Sequence, residues 1–515
     1  MARLCLVLYG IDTSKKKKQR ESIALAWVNT PLFDFRGHLR QGIVNLTTWP
    51  VTETLPEKLN PIGTVVSNIN TTTSPTVLIE FQRYSNTVVY PPYDMIVQLA
   101  AENTKQESFI YFSEDEVEKL KKIIQKEPLS PIFENDKEFV WKLRIECREN
   151  YPYALGKLLS CVKWHCKEDV AQMQVLLQIW TPLEPEMALE LLDYNYADQR
   201  VREFAVRCIE KMCDSDLEQY MLQLVQVLKY ENYLDCDLAK FLLKRALKNQ
   251  NIGHILFWLL KAEMHNPEVS IRFGLMLEAY LRGAPEHMKK LQKQVEALSK
   301  LKMISTLLRN VDGKNKEKGL NAMRQSLQQK TYMDAFSKLT SPLDPSFRLR
   351  QLKIDKCKFM DSKMKPLWLN FDNFDELGGP VKIIFKSGDD LRQDMLTLQL
   401  IRVMDRLWKQ NGLDLEMIPY GCLCTGNNVG LIQVVDNSET LAKIQKKQSG
   451  AISGAFGKTC LWDWLSQCNE KEQMEEVTRK FTLSCAGYCV ATYVLGIGDR
   501  HSDNIMVTKT GQVCA

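Results

Sequence analysis

Gly496-Ile-Gly-Asp-Arg-His-Ser-Asp-Asn-Ile-Met506 gathers an acid, an imidazole and a metal-competent amide into one short polar loop. Phosphoryl transfer asks little covalent chemistry of a protein, but it needs charge placed at the γ-phosphate and a cation held on the β- and γ-oxygens. Asp499, His501 and Asn504 are the right residue types at workable spacing. A single loop histidine is ordinarily a surface or capping group, so its neighbourhood must decide. The apolar run from Glu475 to Leu495 immediately before it reads as one long helix, which delivers the loop from a rigid element.

Working outward, Val381 to Lys386 reads as a strand, Asp390 to Lys409 as a helix, and Tyr420 to Cys424 and Gly430 to Val435 as two further strands. Strands with one intervening helix, then a strand running into a linker, are how a kinase amino-terminal lobe begins its nucleotide cleft. Lys386 ends its strand just before the Ser387-Gly388 turn, from which an ammonium can neutralise phosphate oxygens as a point charge. Spacing alone favours the plainer reading, a solvated strand-end lysine. Asp389 and Asp390 also suit the start of the following helix. Met360 to Lys365 lacks the glycines of familiar phosphate loops and by itself reads as a charged turn.

Before about residue 310 the pattern is helical: Val170 to Trp180, Val201 to Met212, Leu222 to Leu228, Leu238 to Leu247 and Ile255 to Lys261. Short helices broken at Pro182, Asp193-Tyr-Asn195 and Gly253 suggest stacked pairs, an α-solenoid. Ser113-Glu-Asp-Glu116 is a capping box. Residues 1 to 85 alternate short β-rich runs, Leu4 to Tyr9, Ile23 to Val28, Gly42 to Leu46 and Thr76 to Phe81, with turn residues, as in a β-sandwich. Residues 86–110, including Pro91 to about Ser108, read as a connector. Residues 311–354, with the charged Asp312-Gly-Lys-Asn-Lys-Glu-Lys-Gly319, read as a second linker. The expected architecture is therefore multidomain α+β, with divisions 1–85, 111–310 and 355–515.

Composition sets bounds. A charge of +5 over 515 residues does not argue for nucleic acid, and no apolar run approaches the roughly eighteen residues of a membrane span. Met1 to Gly10 has too short an apolar part for a signal peptide, with Asp12 and a lysine run close behind. Fifteen cysteines without paired motifs suit reduced, buried thiols. Cys161-x4-Cys166 with His165 has no second half and is not read as zinc. The cluster Lys15-Lys16-Lys17-Lys18-Gln-Arg20 lies between two strands; it is either a solvated loop or a contact for anionic lipid.

Met360-Asp-Ser-Lys-Met-Lys-Pro-Leu-Trp-Leu369, Ile383-Ile-Phe-Lys-Ser-Gly-Asp-Asp-Leu-Arg-Gln-Asp-Met395, Pro419-Tyr-Gly-Cys422 and Ser484-Cys-Ala-Gly-Tyr-Cys-Val490 stand beside the polar loop. With these, the chain resembles class I phosphoinositide 3-kinase catalytic subunits, the beta and delta isoforms most nearly. Asp193-Tyr-Asn-Tyr-Ala-Asp198 and Leu224-Val-Gln-Val-Leu-Lys-Tyr-Glu231 resemble the family's helical domain. The resemblance implies a C2-type sandwich, a helical (PIK) domain and a two-lobed PI3/PI4-kinase domain. It also implies ATP and Mg2+ as cofactors and phosphorylation of phosphatidylinositol 4,5-bisphosphate at the inositol 3-hydroxyl, in receptor-linked signalling.

By that resemblance Lys386, Asp499 and His501 are catalytic, with His501 a general base or a γ-phosphate stabiliser, and Asn504 holds magnesium. Ser362 and Lys363 face the nucleotide, and Asp389, Asp394 and Tyr420 orient Lys386. The Gln433 carbonyl and Val435 amide pair with adenine; the family usually has glutamate where Gln433 stands. Arg500 is expected to brace the loop through a carboxylate, and Asp503 is not expected to be a ligand.

Pro128-Leu-Ser-Pro-Ile-Phe-Glu134 resembles the edge held by an SH2-containing regulatory subunit. Glu134 matches one of two acidic contacts there, and Pro131 replaces an acid of the alpha isoform. The implied location is cytoplasmic with recruitment to the plasma membrane. By the resemblance, Gly511-Gln-Val-Cys-Ala515 is expected to stop before the family's Asp-Phe-Gly metal ligand, and the chain is expected to lack the adaptor- and Ras-binding domains. The expectation is a truncated chain, with weakened regulatory-subunit binding and an apolar face left open on Glu475 to Leu495. A catalytically inactive product that binds regulatory subunit or membrane is the alternative.

Overall fold

The computed structural model describes residues 3–11, 22–51, 64–106, 113–127, 130–310, 316–360, 362–453 and 459–514. The Lys15 to Arg20 cluster lies outside them, as do residues 128, 129 and 361. The chain divides into two compact units, residues 1–252 with 266–276, and residues 253–265 with 277–515.

The first unit begins with β1 (Arg3–Ile11), β2 (Ser22–Pro31), β3 (Gly42–Thr47), β4 (Trp49–Pro50) and β5 (Thr76–Phe81). β1, β2 and β4 form one antiparallel sheet, and β3 and β5 a second. Trp27, Val28, Leu46 and Trp49 fill the core, and the Trp49 Nε1–H donates to Val66 O at 2.9 Å. Much of the expected connector is a helix. α1 (Tyr93–Gln106) packs Ile96 and Ala100 onto Ala171 of a later helix. Its apolar residues Met95, Ile96, Val97, Leu99, Ala100 and Ala101 run nearly consecutively, which hides a 3.6-residue period, and burial on a neighbour stabilises it.

The helices of this unit are α2 (Glu114–Ile124), α3 (Glu134–Lys142), α4 (Arg144–Asn150), α5 (Leu155–Ser160), α6 (Lys167–Gln178), α7 (Pro185–Ala188), α8 (Gln199–Ile209), α9 (Asp214–Val227) and α10 (Asp237–Lys248). α2 carries the capping box, with Ser113 and Glu116 satisfying one another's backbone amides. In α8 the Asp198 carboxylate caps the amides of Arg200 and Val201, and Val201, Phe204, Ala205, Cys208 and Ile209 follow the helical period into the core. Arg202 on the same helix is also buried, with its Nε donating to Glu231 Oε1 at 2.8 Å. At the start of α3, Phe133 is 72% exposed and Glu134 pairs with Lys137 at 2.7 Å.

α11 (Gln250–Ala262) and α12 (Pro267–Gly283) each span a boundary between the units. The second unit continues with α13 (Pro285–Asn310), α14 (Lys316–Leu327), α15 (Lys330–Phe336), β6 (Leu339–Thr340), β7 (Arg348–Leu352), β8 (Lys358–Phe359), β9 (Leu367–Asn373) and β10 (Val381–Ser387). After these come α16 (Arg392–Gln410), β11 (Cys422–Gly426), β12 (Val429–Gln433), β13 (Ser438–Thr440), α17 (Leu441–Ser453), α18 (Cys460–Cys468), α19 (Met474–Leu495), β14 (Met506–Thr508) and β15 (Val513–Cys514). A seven-stranded sheet runs β11-β12-β10-β9-β7-β6, with β8 also on β9; β13, β14 and β15 form a smaller one.

The segment read as a second linker thus supplies two helices and two strands of the second unit. Its charges sit on outer faces, while Met323, Leu327, Phe336 and Leu349 are buried. Val490, Tyr493 and Val494 of α19 are exposed, the last two at 88% and 64%, while Gly487, Tyr488 and Ala491 one turn round are buried.

Two histidines are sealed within this unit. The His254 Nε2–H donates to Pro342 O at 2.8 Å, and the Tyr280 hydroxyl and His287 Nδ1 share a hydrogen bond of 2.6 Å. Gly253 permits that packing, since a Cβ there would lie 1.9 Å from the Tyr280 hydroxyl. Burial lowers the pKa of His254 and pushes that of His287 down to about 4. An unfolded histidine titrates near 6.5, so between about 6.5 and 4 the unfolded state binds more protons and acidification weakens the fold. Moving from pH 7 to 5 should cost the unit on the order of 1–2 kcal/mol through His287. Urea midpoints should show that slope, and His287→Asn should flatten it.

Candidate active site

Antiparallel pairing sets Lys386 opposite Gly430, at the end of β10. Its ammonium lies 3.8 Å from Asp389 Oδ2, with both side chains partly exposed. Asp390 turns instead to Arg392, whose Nη2 is 2.6 Å from its Oδ2. Beyond Ser387 the chain leaves through Gly388 at φ 107°, where a Cβ would come within 2.8 Å of Met364 Sδ.

Met364 belongs to the tip joining β8 to β9, closed by hydrogen bonds from Met360 N to Pro366 O and from Lys365 N to Ser362 O. That contact sets the tip, with Ser362 and Lys363 exposed on it, beside the Lys386 turn.

Cys422 joins the remaining groups of the cleft. Its thiol is pushed up to about 12, chiefly by burial and then by the Asp394 charge, with Lys386 acting the opposite way. Tyr420 is raised by burial, then by Cys422 and Asp394, and is lowered by Arg500 of the polar loop. Lys386, Asp394, Tyr420 and Arg500 therefore share one electrostatic neighbourhood. Arg402 positions Tyr420, donating from Nη2 to its carbonyl at 2.7 Å. Sequence reasoning quoted Cys422 within a motif but gave it no role, and missed Arg402, which acts from α16 and stands in no motif.

At the strand end, Gln433 uses its side chain locally: Oε1 accepts from Gly421 N at 2.8 Å. Glutamine serves there because the acceptor oxygen is all the contact needs. The Val435 carbonyl accepts from Ser438 Oγ at 2.7 Å, turning the chain toward β13.

α19 ends at Gly496 in the left-handed conformation, and the polar loop follows. Asp499 also adopts a left-handed backbone, φ 55°, uncommon for a residue with a Cβ. Asn504 stabilises that turn: its Nδ2 donates to Asp499 O at 2.6 Å and its Oδ1 accepts from His501 N at 2.8 Å. The His501 Nδ1 accepts from Asp503 N at 3.2 Å, so the neutral ring carries its proton on Nε2. That tautomer donates from its outer nitrogen, which suits a phosphate oxygen better than removal of a proton. Arg500 braces the loop through a carbonyl, Gly498 O at 3.2 Å, and not through the carboxylate expected of it. Backbone bonds from Leu441 and Ala442 to Ile505 O and Ser502 O fasten the loop to the start of α17.

Family models match three successive stretches: phosphoinositide 3-kinase C2 over residues 1–78, the phosphoinositide 3-kinase family accessory domain (PIK domain) over 109–293, and phosphatidylinositol 3- and 4-kinase over 380–515. Phosphatidylinositol 3-kinase 1 of Dictyostelium discoideum is 40% identical over 490 residues, 95% of this chain and 30% of the relative. Phosphatidylinositol 3-kinase 2 of that organism is 38% identical, over 98% of this chain and 28% of its own length.

The chain belongs to the phosphoinositide 3-kinase family.

It spans about 30% of the length of these curated relatives. Within the family frame, the polar loop and Lys386 both lie in or beside the stretch matched to the kinase domain. Among the described residues no helix is long and apolar enough to cross a membrane. Asn504 offers an amide oxygen with a second lone pair, and Asp499 a carboxylate; such hard oxygen donors fit magnesium in kind. Bound there, the ion would neutralise phosphate charge.

Asn504→Ala should release the Asp499 turn. Two hydrogen bonds of about 1 kcal/mol each are lost, enough to lower turnover roughly tenfold or more. Steady-state kinetics would check this, with a melting temperature lowered by no more than about 4–8 °C, the equivalent of those two bonds, showing that the effect is local.

Proposed function

We propose that the chain is the core of an ATP-dependent phosphatidylinositol 3-kinase that phosphorylates the 3-hydroxyl of phosphatidylinositol 4,5-bisphosphate in receptor-linked signalling. The packing of Met364 on Gly388 carries this reading, because it brings Ser362 and Lys363 beside Lys386 in a unit that also holds the Asp499–Asn504 loop. Lys386 neutralises phosphate oxygens, and Asp389 and Asp394 keep its ammonium aimed. The Gln433 carbonyl and Val435 amide receive adenine. The His501 Nε2–H donates to the transferring phosphate, and Asp499 lies beside the attacking hydroxyl.

In this reading the protein is cytoplasmic and is recruited to anionic phosphoinositide membranes, the Lys15 to Arg20 run contributing attraction of about 1 kcal/mol per charge. An SH2-containing regulatory subunit engages the edge that bears Phe133 and Glu134.

A second reading, a binding protein without turnover, is favoured by Asn504, whose two amide atoms are both engaged inside the loop. Labelled ATP with vesicles of phosphatidylinositol, its 4-phosphate or its 4,5-bisphosphate separates the two. Transfer to the 4,5-bisphosphate that is lost in Lys386→Ala supports the kinase reading. Vesicle binding with no transfer to any of the three supports the second.

A further inference from the structure

The last turn of α13 touches both sides of the lysine site. A helix leaves its final carbonyls without intrahelical donors, and they carry the negative end of its dipole. One of them, Leu308 O, accepts from Lys365 Nζ at 2.7 Å. The next residue, Arg309, sends Nη2 to both Ser387 O and Ser387 Oγ at 2.7 Å, and to Ser305 Oγ one turn earlier at 3.3 Å. Lys365 belongs to the tip joining β8 to β9, whereas Ser387 directly follows Lys386. Between these two anchor points, Met364 rests on Gly388.

These contacts divide the lysines of the tip. Lys365 turns toward the helix end from a left-handed backbone, φ 47°, while Lys363 stays exposed beside Ser362. Arg309 makes this anchor through one nitrogen, Nη2, whose charge-assisted donation reaches both Ser387 oxygens; a lysine ammonium keeps the charge but not the guanidinium's plane and reach. Ser387 is buried, so its position is transmitted directly to the preceding lysine.

We propose that the carboxy-terminal turn of α13 is a clamp holding the 360–366 tip against the Lys386 turn, with Arg309 as a positioning residue that sets phosphate-site geometry without touching nucleotide. The nucleotide consequence rests on the kinase reading; the clamp itself is measurable without nucleotide.

Hydrogen exchange followed by mass spectrometry tests it on the full chain, comparing wild type with Arg309→Met, Arg309→Lys and Lys365→Met. Loss of a hydrogen bond of ordinary strength should speed exchange about fivefold in peptides covering both 360–366 and 386–390, in both methionine variants, with partial recovery in Arg309→Lys. No change, or a change confined to the segment nearest the substitution, overturns the clamp. Acceleration spread through the whole unit assigns Arg309 to general stability and overturns the positioning role.

A non-hydrolysable ATP analogue with magnesium forms the second arm. Its affinity should fall about tenfold in Arg309→Met and recover in part in Arg309→Lys, a split that bulk destabilisation does not produce. If wild type shows no protection by the analogue, the nucleotide reading fails while the exchange data still decide the clamp.

Discussion

Lys386→Met should lower phosphate transfer from ATP by at least about a hundredfold while leaving the fold intact, since removing one preorganised electrostatic contact costs roughly 3 kcal/mol. Methionine keeps the apolar stem, so strand packing against Gly430 survives and only the charge is lost. The Asp389 carboxylate, 3.8 Å away in the wild type, then faces the phosphates without a counter-charge and adds repulsion to the loss. Both kcat and analogue affinity should fall, and the thermal transition should not move. Wild-type turnover retained in the variant would remove Lys386 from the chemistry.

Glu231→Gln should produce the largest stability change, about 3–5 kcal/mol, because it leaves a guanidinium buried without its counter-ion. Arg202 and Glu231 meet at 2.8 Å with side chains only 6% and 7% exposed. Arg202 also donates to Leu192 O, and Arg272 donates to Glu231 O and Tyr233 O, so the network ties α8, the turn after α9, and α12 together. The Arg272 contacts go to carbonyls and survive the substitution, which confines the loss to the ion pair. A urea midpoint lower by about 1 M or more would be expected for a unit of this size. The double variant Arg202→Met with Glu231→Leu should recover much of the loss, since an apolar replacement leaves no charge to desolvate.

The His287 slope and the Asn504 loop are smaller effects of the same two kinds. One is a group held neutral by burial; the other is a backbone turn held by side-chain hydrogen bonds.

Elements with strong local signals were legible. The β1, β2, β3 and β5 runs, the capping box before α2, and the long helix before Gly496 rest on alternation, capping chemistry or sustained period, all written in neighbouring residues. The segment 316–352 was not legible, because its helices are short and charged and its two short strands, paired with each other, join the sheet only where β7 meets β9. The candidate site divides in the same way. Lys386 and Asp499 to Asn504 stand in contiguous motifs, whereas Arg402 and Arg309 enter through contacts across many residues of chain. Arg500 shows the difference within a single motif: its place was readable, but its partner proved to be a carbonyl two residues away.

The amino-acid sequence by itself determined the family, the order of the three domain types and the chemical kinds gathered in the polar loop, because these depend on residue identity and short-range spacing. Tertiary structure alone decided the His501 tautomer, the left-handed Asp499 turn held by Asn504, and the grip of the α13 end on both the 360–366 tip and Ser387. Each of these depends on which donor meets which acceptor, and separation along the chain does not set that distance.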